Sequence, residues 1–347
     1  MTKVTCVSVV LQKAEDVKNF LLEKNLFNKD YSFKKYENRI CFPIIQSKES
    51  NQMILDKFDF VTFEELELQE TRYPQNLKDS LKEKLTKEEL GFLKTSYDVV
   101  GTIAILEIDA PLDKKEKIIA DEILKTNKNI KTVVKKADKH DGEFRTQKMT
   151  YIAGEETLET SYQEHNVRLK LNVEEVYFSP RLSTERKRIY EKITKGEDVL
   201  VMFSGCAPYP CVLSKNSSAA NILGVEINPV GHKYGIENIK LNKLTNVKLI
   251  NGDVREIVPK LEEKFDRILM PLPKTAEEFL DTALCVAKKG TIVHLYAFLH
   301  EDNFKEAHDA IDIACKNKGF KYKLLETVKC GQHAPRVYRI CVDFEIL

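Results

Sequence analysis

The feature that most constrains this chain is an alternation of apolar strand-like runs with helical segments from residue 198 onward. The runs are Val199 to Phe203, Ile222 to Ile227, Val247 to Ile250, Phe265 to Met270 and Thr291 to Ala297. Strands joined by helical crossovers build a parallel, doubly wound sheet. Two later runs, Tyr322 to Lys329 and Val337 to Ile346, are joined by CGQHAPR with no helix between them. They predict an antiparallel hairpin at the sheet edge.

Upstream of this α/β domain, placed at 191 to 347, the pattern differs. The runs Asp98 to Ile108, Asn129 to Lys136, Val167 to Val173 and Val176 to Phe178, with one helix around Lys115 to Lys125, indicate a β-rich domain over 71 to 190. Residues 3 to 45 read as strand (Val4 to Leu11), helix (Ala14 to Glu23) and strand (Ile40 to Ile45), a small α/β module within 1 to 70. Phe63 to Gln75 carries Glu64, Glu65, Glu67, Glu70 and a Tyr-Pro pair, the composition of a linker, which puts the first boundary near 70.

Charge excludes one kind of partner recognition. Lys+Arg number 55 against 54 Asp+Glu in 347 residues, so no whole-protein basic field steers nucleic acid, and any RNA surface must be local. The segment Lys114 to Lys148 supplies such a locality, with ten Lys and one Arg against six acidic residues. A solvated Lys-rich face is the plainer reading of it. The eight cysteines are scattered, with no CxxC pair and no His/Cys cluster at metal spacing, which predicts reduced thiols and no metal. No signal-peptide core opens the chain and no apolar run approaches roughly 18 residues, so a soluble, cytoplasmic protein is expected.

In an open α/β sheet ligands bind at the carboxyl ends of the strands beside the point where strand order reverses. In VLVMFSGCAPYP, Gly205 lets the backbone pass close to a ligand before a helix N-terminus. In LGVEINP, Glu226 ends the next strand about 20 residues on, where a carboxylate accepts from both hydroxyls of a ribose. In LINGDVRE, Asp253 is placed to accept from an adenine amino group while the Val254 backbone pairs with the ring. Ordinary acidic strand ends are the bland alternative. A dinucleotide is disfavoured because the second and third glycines of GxGxxG are missing.

Just before the sheet lies VYFSPRLSTERKRIYEKI, where Pro180 breaks a strand and Ser183 or Thr184 can cap a helix carrying Glu185, Arg186 and Arg188. On spacing alone this is a solvated basic helix. Together with GEFR (142 to 145), VEINP, IKLNKL (239 to 244) and GDVRE, however, the segment resembles the archaeal and eukaryotic tRNA (guanine-37 N1)-methyltransferases over roughly residues 98 to 347. The resemblance implies a Rossmann-like class I methyltransferase domain using S-adenosylmethionine. It implies Glu185 as the base that takes the guanine N1 proton and Arg145 as the group that positions the base or its developing charge. It places Arg186, Phe203, Gly205, Glu226, Ile227, Asp253, Val254 and Pro271 around the cofactor, and Tyr177, Phe178 and Arg181 around the substrate. The chemistry is coherent, because guanine N1 is protonated at neutral pH and becomes nucleophilic only as that proton leaves. A cation near the carbonyl oxygen stabilises the charge that develops.

The sequence departs from most of the family in two places. Val201 stands where an Asp is usual, and MPLPK puts Pro271 where an Asn contacts substrate or cofactor. One archaeal branch associated with wyosine synthesis resembles this chain at both, and some of its members also methylate carbon 7 of 4-demethylwyosine at position 37. A pocket without the Asn side chain suits that wider ring. The family further implies a monomer acting on tRNA, with residues 1 to 65 checking the outer corner of the molecule. Alternatives are transfer of the cofactor's aminocarboxypropyl arm to the wyosine precursor, a tRNA-binding relative without catalysis, and a cytosine-5 methyltransferase using Pro210-Cys211. Cys211 reads better as helix core.

Overall fold

A computed structural model describes residues 2–69, 77–137, 144–272 and 274–347. The chain divides into two compact units, Met1–Glu83 and Lys84–Leu347; the boundary expected near 70 lies outside the described residues. In the first unit, β1 (Thr2–Val10), β2 (Lys34–Lys35), β3 (Arg39–Pro43) and β4 (Thr62–Leu68) form an antiparallel sheet in the order β2-β3-β1-β4. Val17 and Leu21 of α1 (Ala14–Glu23) and Ile54 of α2 (Lys48–Lys57) join Val7, Val9 and Phe42 in its core. Of the segment from Phe63 to Gln75, expected as a linker, residues 63–68 are strand, with Glu64 opposite Cys6 and Leu66 opposite Val4, and residues 70–75 lie outside the described set. Glu64, Glu65 and Glu67 lie on an edge strand, where charge discourages further pairing, and Glu64 accepts from Arg39.

In the second unit, β5 (Asp98–Val100), β6 (Ile103–Leu106), β7 (Thr132–Lys136) and β8 (Met149–Gly154) make a sheet in that order. Helix α3 (Glu116–Thr126) provides the crossover between parallel β6 and β7. Strands β9 (Glu159–Glu164) and β10 (Val167–Asn172) form a separate hairpin. The hydrophobic pattern misses β8 and β9, whose sequences MTYIAG and ETSYQE bury few apolar residues. Val176–Phe178, expected as a strand, is irregular chain.

The large sheet contains β11 (Asp198–Met202), β12 (Asn221–Glu226), β13 (Val247–Asn251), β14 (Phe265–Met270), β15 (Ala287–His300), β16 (Tyr322–Ala334) and β17 (Val337–Ile346). Its order is β13-β12-β11-β14-β15-β17-β16, parallel through β15 and antiparallel thereafter, as the alternation and the terminal runs predict. Period-2 alternation on β11 sends Leu200 and Met202 into one core and Val199 and Val201 into the other, so both faces are covered. Strand order reverses at β11, which has β12 on one side and β14 on the other, so a crevice opens at their carboxyl ends.

Helices α4 (Ser183–Lys192), α5 (Pro208–Asn216), α6 (Pro229–Leu241) and α7 (Lys305–Asn317) complete the layers. Asn238 on α6 receives the Lys170 N–H of β10 and donates to the Lys170 and Cys206 carbonyls. That clamp holds the β9–β10 hairpin onto the large sheet. The expected side-chain cap of α4 is not formed: Pro180–Leu182 is a 3₁₀ turn that leads straight into the helix, and the Ser183 hydroxyl bonds His165 instead. No helix among the described residues is long and apolar enough to cross a membrane.

Candidate active site

The crevice is built on an unusual turn. After β11 the chain places Phe203, Gly205 and Ala207 at φ 56°, 56° and 65° before α5 begins with Pro208. Two of these are not glycine, and left-handed backbone of that kind persists only where its surroundings enforce it. One enforcing contact is visible: the Gly205 N–H donates to Glu226 Oε2 at 2.6 Å, while Glu226 Oε1 accepts from the Asn228 N–H at 2.8 Å. Asn228 also caps α6 by accepting from the Val230 N–H. Glu226 is therefore buried and fixed at the end of β12 with lone pairs to spare. Burial pushes its pKa up, and the backbone N–H groups only partly oppose this.

Asp253 follows β13 and caps the short helix Val254–Ile257 through the Arg255 N–H at 2.8 Å. The Arg255 guanidinium holds its carboxyl below the usual range. Phe203 meets Phe279 edge to face at 4.9 Å. These groups, with Ser204, Ile227, Val254 and Pro271, surround a cavity of about 300 Å³, a size suited to a small-molecule cofactor. The Ser204 hydroxyl is buried in that wall without a protein partner.

Val176 to Ser179 and Arg145 form a wall that this cavity shares with a second one of about 840 Å³. Tyr177 is held there by Arg339, whose Nη2 donates to its hydroxyl at 3.0 Å, and Phe178 packs edge to face on Tyr162 at 5.0 Å. Arg145 has a left-handed backbone, φ 51°, and donates weakly to Thr275. Burial draws its pKa down, so its charge is costly and an anion nearby is favoured. Gly142 and Glu143 of the GEFR motif lie outside the described residues. Arg186 lines the first cavity but is bonded to buried Glu164, with its guanidinium over the rings of Phe178 and Tyr209. It shapes the wall more than it offers donors.

Two residues expected in the site stand apart from the first cavity. Arg181 is largely exposed, pairs with Asp98 at 2.9 Å and lines the second cavity only. Glu185 is buried beneath the floor. Arg188 engages its carboxylate with two bonds of 2.8 and 2.7 Å, and the Tyr296 hydroxyl donates to it at 2.7 Å. Because a carboxylate only accepts, Tyr296 must in turn accept from Tyr209, 3.1 Å away in the cavity wall. Arg188 continues to Asp343, which accepts from His294 Nδ1 at 2.6 Å.

Part of the expected basic segment is paired locally. Lys135 pairs with Glu116, Lys136 with Glu107 and Lys131 with Glu155; residues 138–143 lie outside the described set. The second cavity is lined by Lys136 and Arg145 from this segment and by Arg181, Lys274 and Arg339 from outside it. The sequence does not single out Lys274, Arg339, Ser204, Tyr209, Thr275 or Phe279, although Ser204 and Tyr209 lie in VLVMFSGCAPYP, Lys274 in MPLPK and Arg339 in the Val337 to Ile346 run. All eight cysteines are free thiols, and burial pushes Cys206 up to about 12 and Cys211 higher still, which leaves Cys211 in the core of α5 and not a nucleophile.

A parallel sheet whose second and third strands end in carboxylates around a cofactor-sized cavity, with a larger cavity sharing its wall, defines a group-transfer enzyme of Rossmann-like architecture. Residues 160–325 match the TRM5/TYW2 methyltransferase domain, 77–157 the TYW2 N-terminal domain and 6–52 the tRNA methyltransferase 5 N-terminal domain. The chain belongs to the TRM5/TYW2 methyltransferase family. It is similar to tRNA (guanine(37)-N(1))-methyltransferase Trm5b of Pyrococcus abyssi, 38% identical over 344 residues and 98% of each chain. The crystal structure of that protein matches with a TM-score of 0.74 over 99% of each chain. A structure of aTrm5 in complex with tRNALeu matches at 0.70 and 31% identity, over 99% of each chain. The tRNA (guanine(37)-N(1))/4-demethylwyosine(37)-methyltransferase Taw22 of Nanoarchaeum equitans is 36% identical over 73% of this chain and all of its own length.

Proposed function

We propose that this protein transfers a methyl group from S-adenosylmethionine to N1 of guanine-37 in tRNA. The observation that carries this is the wall common to the two cavities: Arg145 and Val176 to Ser179 bound both, so a base entering the larger one reaches the edge of the smaller. The smaller fits the cofactor by its donor set. Glu226 offers acceptors to ribose hydroxyls, Phe203 and Phe279 offer an apolar slot, Asp253 offers an acceptor at its rim, and the Ser204 hydroxyl is left to bond a ligand. When bound, the cofactor supplies an electrophilic methyl group.

The protein's own tasks are then to orient the base, stabilise charge and remove a proton. Arg145 faces the carbonyl oxygen as negative charge develops on it. Glu185 is the final acceptor of the N1 proton. From its buried position it works through the two hydroxyls in front of it: N1 passes its proton to Tyr209, Tyr209 passes its own to Tyr296, and Tyr296 passes its own to Glu185. The freed N1 lone pair forms the bond to the methyl carbon while the carbon–sulfur bond breaks and its pair stays on sulfur.

The decisive assay incubates the protein with cofactor and tRNA bearing guanine or adenine at position 37, followed by mass spectrometry of the nucleosides. N1-methylguanine together with S-adenosylhomocysteine is expected, from the guanine tRNA only. Methylthioadenosine as the small product would mean aminocarboxypropyl transfer, and no product at all would mean a binding protein. A second reading, methylation of 4-demethylwyosine at the same position, is supported by the breadth of the larger cavity beside Lys274 and by Pro271 in the lining of the smaller one, where an Asn side chain would take up more room. The same assay with tRNA carrying that base tests it.

A further inference from the structure

Along the antiparallel end of the sheet, the larger cavity has a wall that methyl transfer does not require. Phe298 on β15 lies directly opposite Arg339 on β17, whose guanidinium carbon is 4.9 Å from the Phe298 ring centre. Pairing between β16 and β17 is irregular on both sides of Gln332, and His333 is the extra residue between the Gln332–Tyr338 and Ala334–Val337 pairs. A bulge re-aims a side chain. Here it stacks the exposed His333 ring on Phe298, with centres 4.1 Å apart and planes 23° from parallel. Burial, then the charges of Arg339 and Lys274, lower the pKa of His333, so it is a neutral aromatic surface.

The same wall holds positive charge with donors to offer. Arg339 Nε is buried without a partner although Nη2 is spent on Tyr177, and Lys274 makes no ion pair among the described residues. An aromatic stack beside donor-rich cations is how single-stranded nucleic acid is held, with bases on rings and phosphates on guanidinium or ammonium groups. A folded protein partner would not need so deep a recess, and a free anion would not need the rings.

We propose that Phe298, His333, Arg339 and Lys274 form a seat for the nucleotide adjoining the target in the RNA, whose base stacks on His333 and whose phosphate lies against Arg339 and Lys274. The seat rests on the reading that the target base enters the larger cavity, and it adds a second point of attachment beside it. Two attachments hold a flipped nucleotide in register, because the backbone cannot slide by one residue without losing the stack.

The test uses the full-length protein, His333→Ala, His333→Phe and Arg339→Gln, with tRNA that is intact or abasic at the nucleotide on either side of position 37. Dissociation constants for tRNA and for cofactor, and kcat/KM for transfer, are measured for each pair. His333→Ala should weaken tRNA binding about tenfold and lower kcat/KM through KM, with cofactor affinity unchanged, while His333→Phe retains most of both. One abasic tRNA should lose the same factor with the unaltered protein and no more with His333→Ala. Arg339→Gln should reduce the salt dependence of binding. Losses that add fully for both abasic substrates, or His333→Ala binding tRNA like the parent, would overturn the seat. Tight binding without transfer by the parent protein would instead overturn the methyl-transfer reading, and the binding comparison would still decide the seat.

Discussion

Glu185 and Arg188 lie one turn apart on α4, and their paired geometry governs what a substitution at either can report. Glu185→Gln should leave cofactor binding within about twofold while lowering single-turnover methyl transfer by about 10² to 10⁴. Tyr296→Phe breaks the hydroxyl series and should produce a similar fall with the same unchanged cofactor affinity. If Glu185→Gln slows transfer but Tyr296→Phe does not, the carboxylate reaches the base directly and the series is wrong. Glu226 gives a second prediction. Glu226→Gln should weaken cofactor binding about 10- to 100-fold by calorimetry, the worth of hydrogen bonds to a charged group. Because burial raises its pKa above 4.5, the ionised form proposed to bind ribose is lost as pH falls through that raised value, and cofactor affinity should already decline where an ordinary Glu is still charged. Folding moves the other way at this residue. The fold holds the proton more tightly than the unfolded chain does, so its contribution is present below pH 4.5 and lost as pH rises through the folded value. At this scale the sequence was readable where a motif sat on a strand end, as at Glu226 and Asp253. It did not single out Arg339 or Lys274 within the run and the motif that hold them, because they enter the cavity wall through strand register and a loop.

Among the elements, β17 carries the polar latch of the core. Asp343 binds Arg188 of α4 and His294 of β15, and His294 Nε2 faces Arg267 of β14 at 2.8 Å. Three strands and a helix are tied by side chains that are nearly all buried. Despite the opposing effect of burial, hydrogen bonds from His294 and Arg188 hold Asp343 well below its ordinary 3.8, while burial keeps His294 below 6.5 and neutral. Both shifts have the same sign for stability. The unfolded chain takes up protons first, so stability falls as pH drops below 6.5 at His294 and again below 3.8 at Asp343. Asp343→Asn leaves Arg188 short of a partner and should cost about 3 kcal/mol in denaturant unfolding; a loss under about 1 kcal/mol would show that the latch is replaceable. Element identity was legible for the large sheet because strands covered on both faces stay apolar throughout. It failed at β4, β8 and β9, whose exposed faces dilute the signal, and at Val176–Phe178, where an apolar run lines cavities instead of pairing.

For the molecule as a whole, the two compact units predict separable roles. Each has its own apolar core, the first around Leu21, Phe42 and Ile54 and the second around the large sheet. Residues Lys84–Leu347 alone should therefore fold, bind cofactor with unchanged affinity and methylate, with a raised KM for full-length tRNA and a nearly unchanged kcat. Equal KM values with and without the first unit would remove it from tRNA recognition. Domain content was visible in the pattern of periods, but the union of the β-rich region with the large sheet was not, since it depends on single contacts such as the Asn238 clamp. One topological detail also orders events in time. Strand β17 is inserted between β15 and β16, both of which precede it in the chain, so β16 has no neighbour in the sheet until β17 arrives. During synthesis from the ribosome the cofactor crevice at β11 to β14 is thus encoded well before the strand that brings Arg339 and Asp343. Closure of the sheet, and with it the wall that carries Arg339, therefore waits for the last strand of the chain.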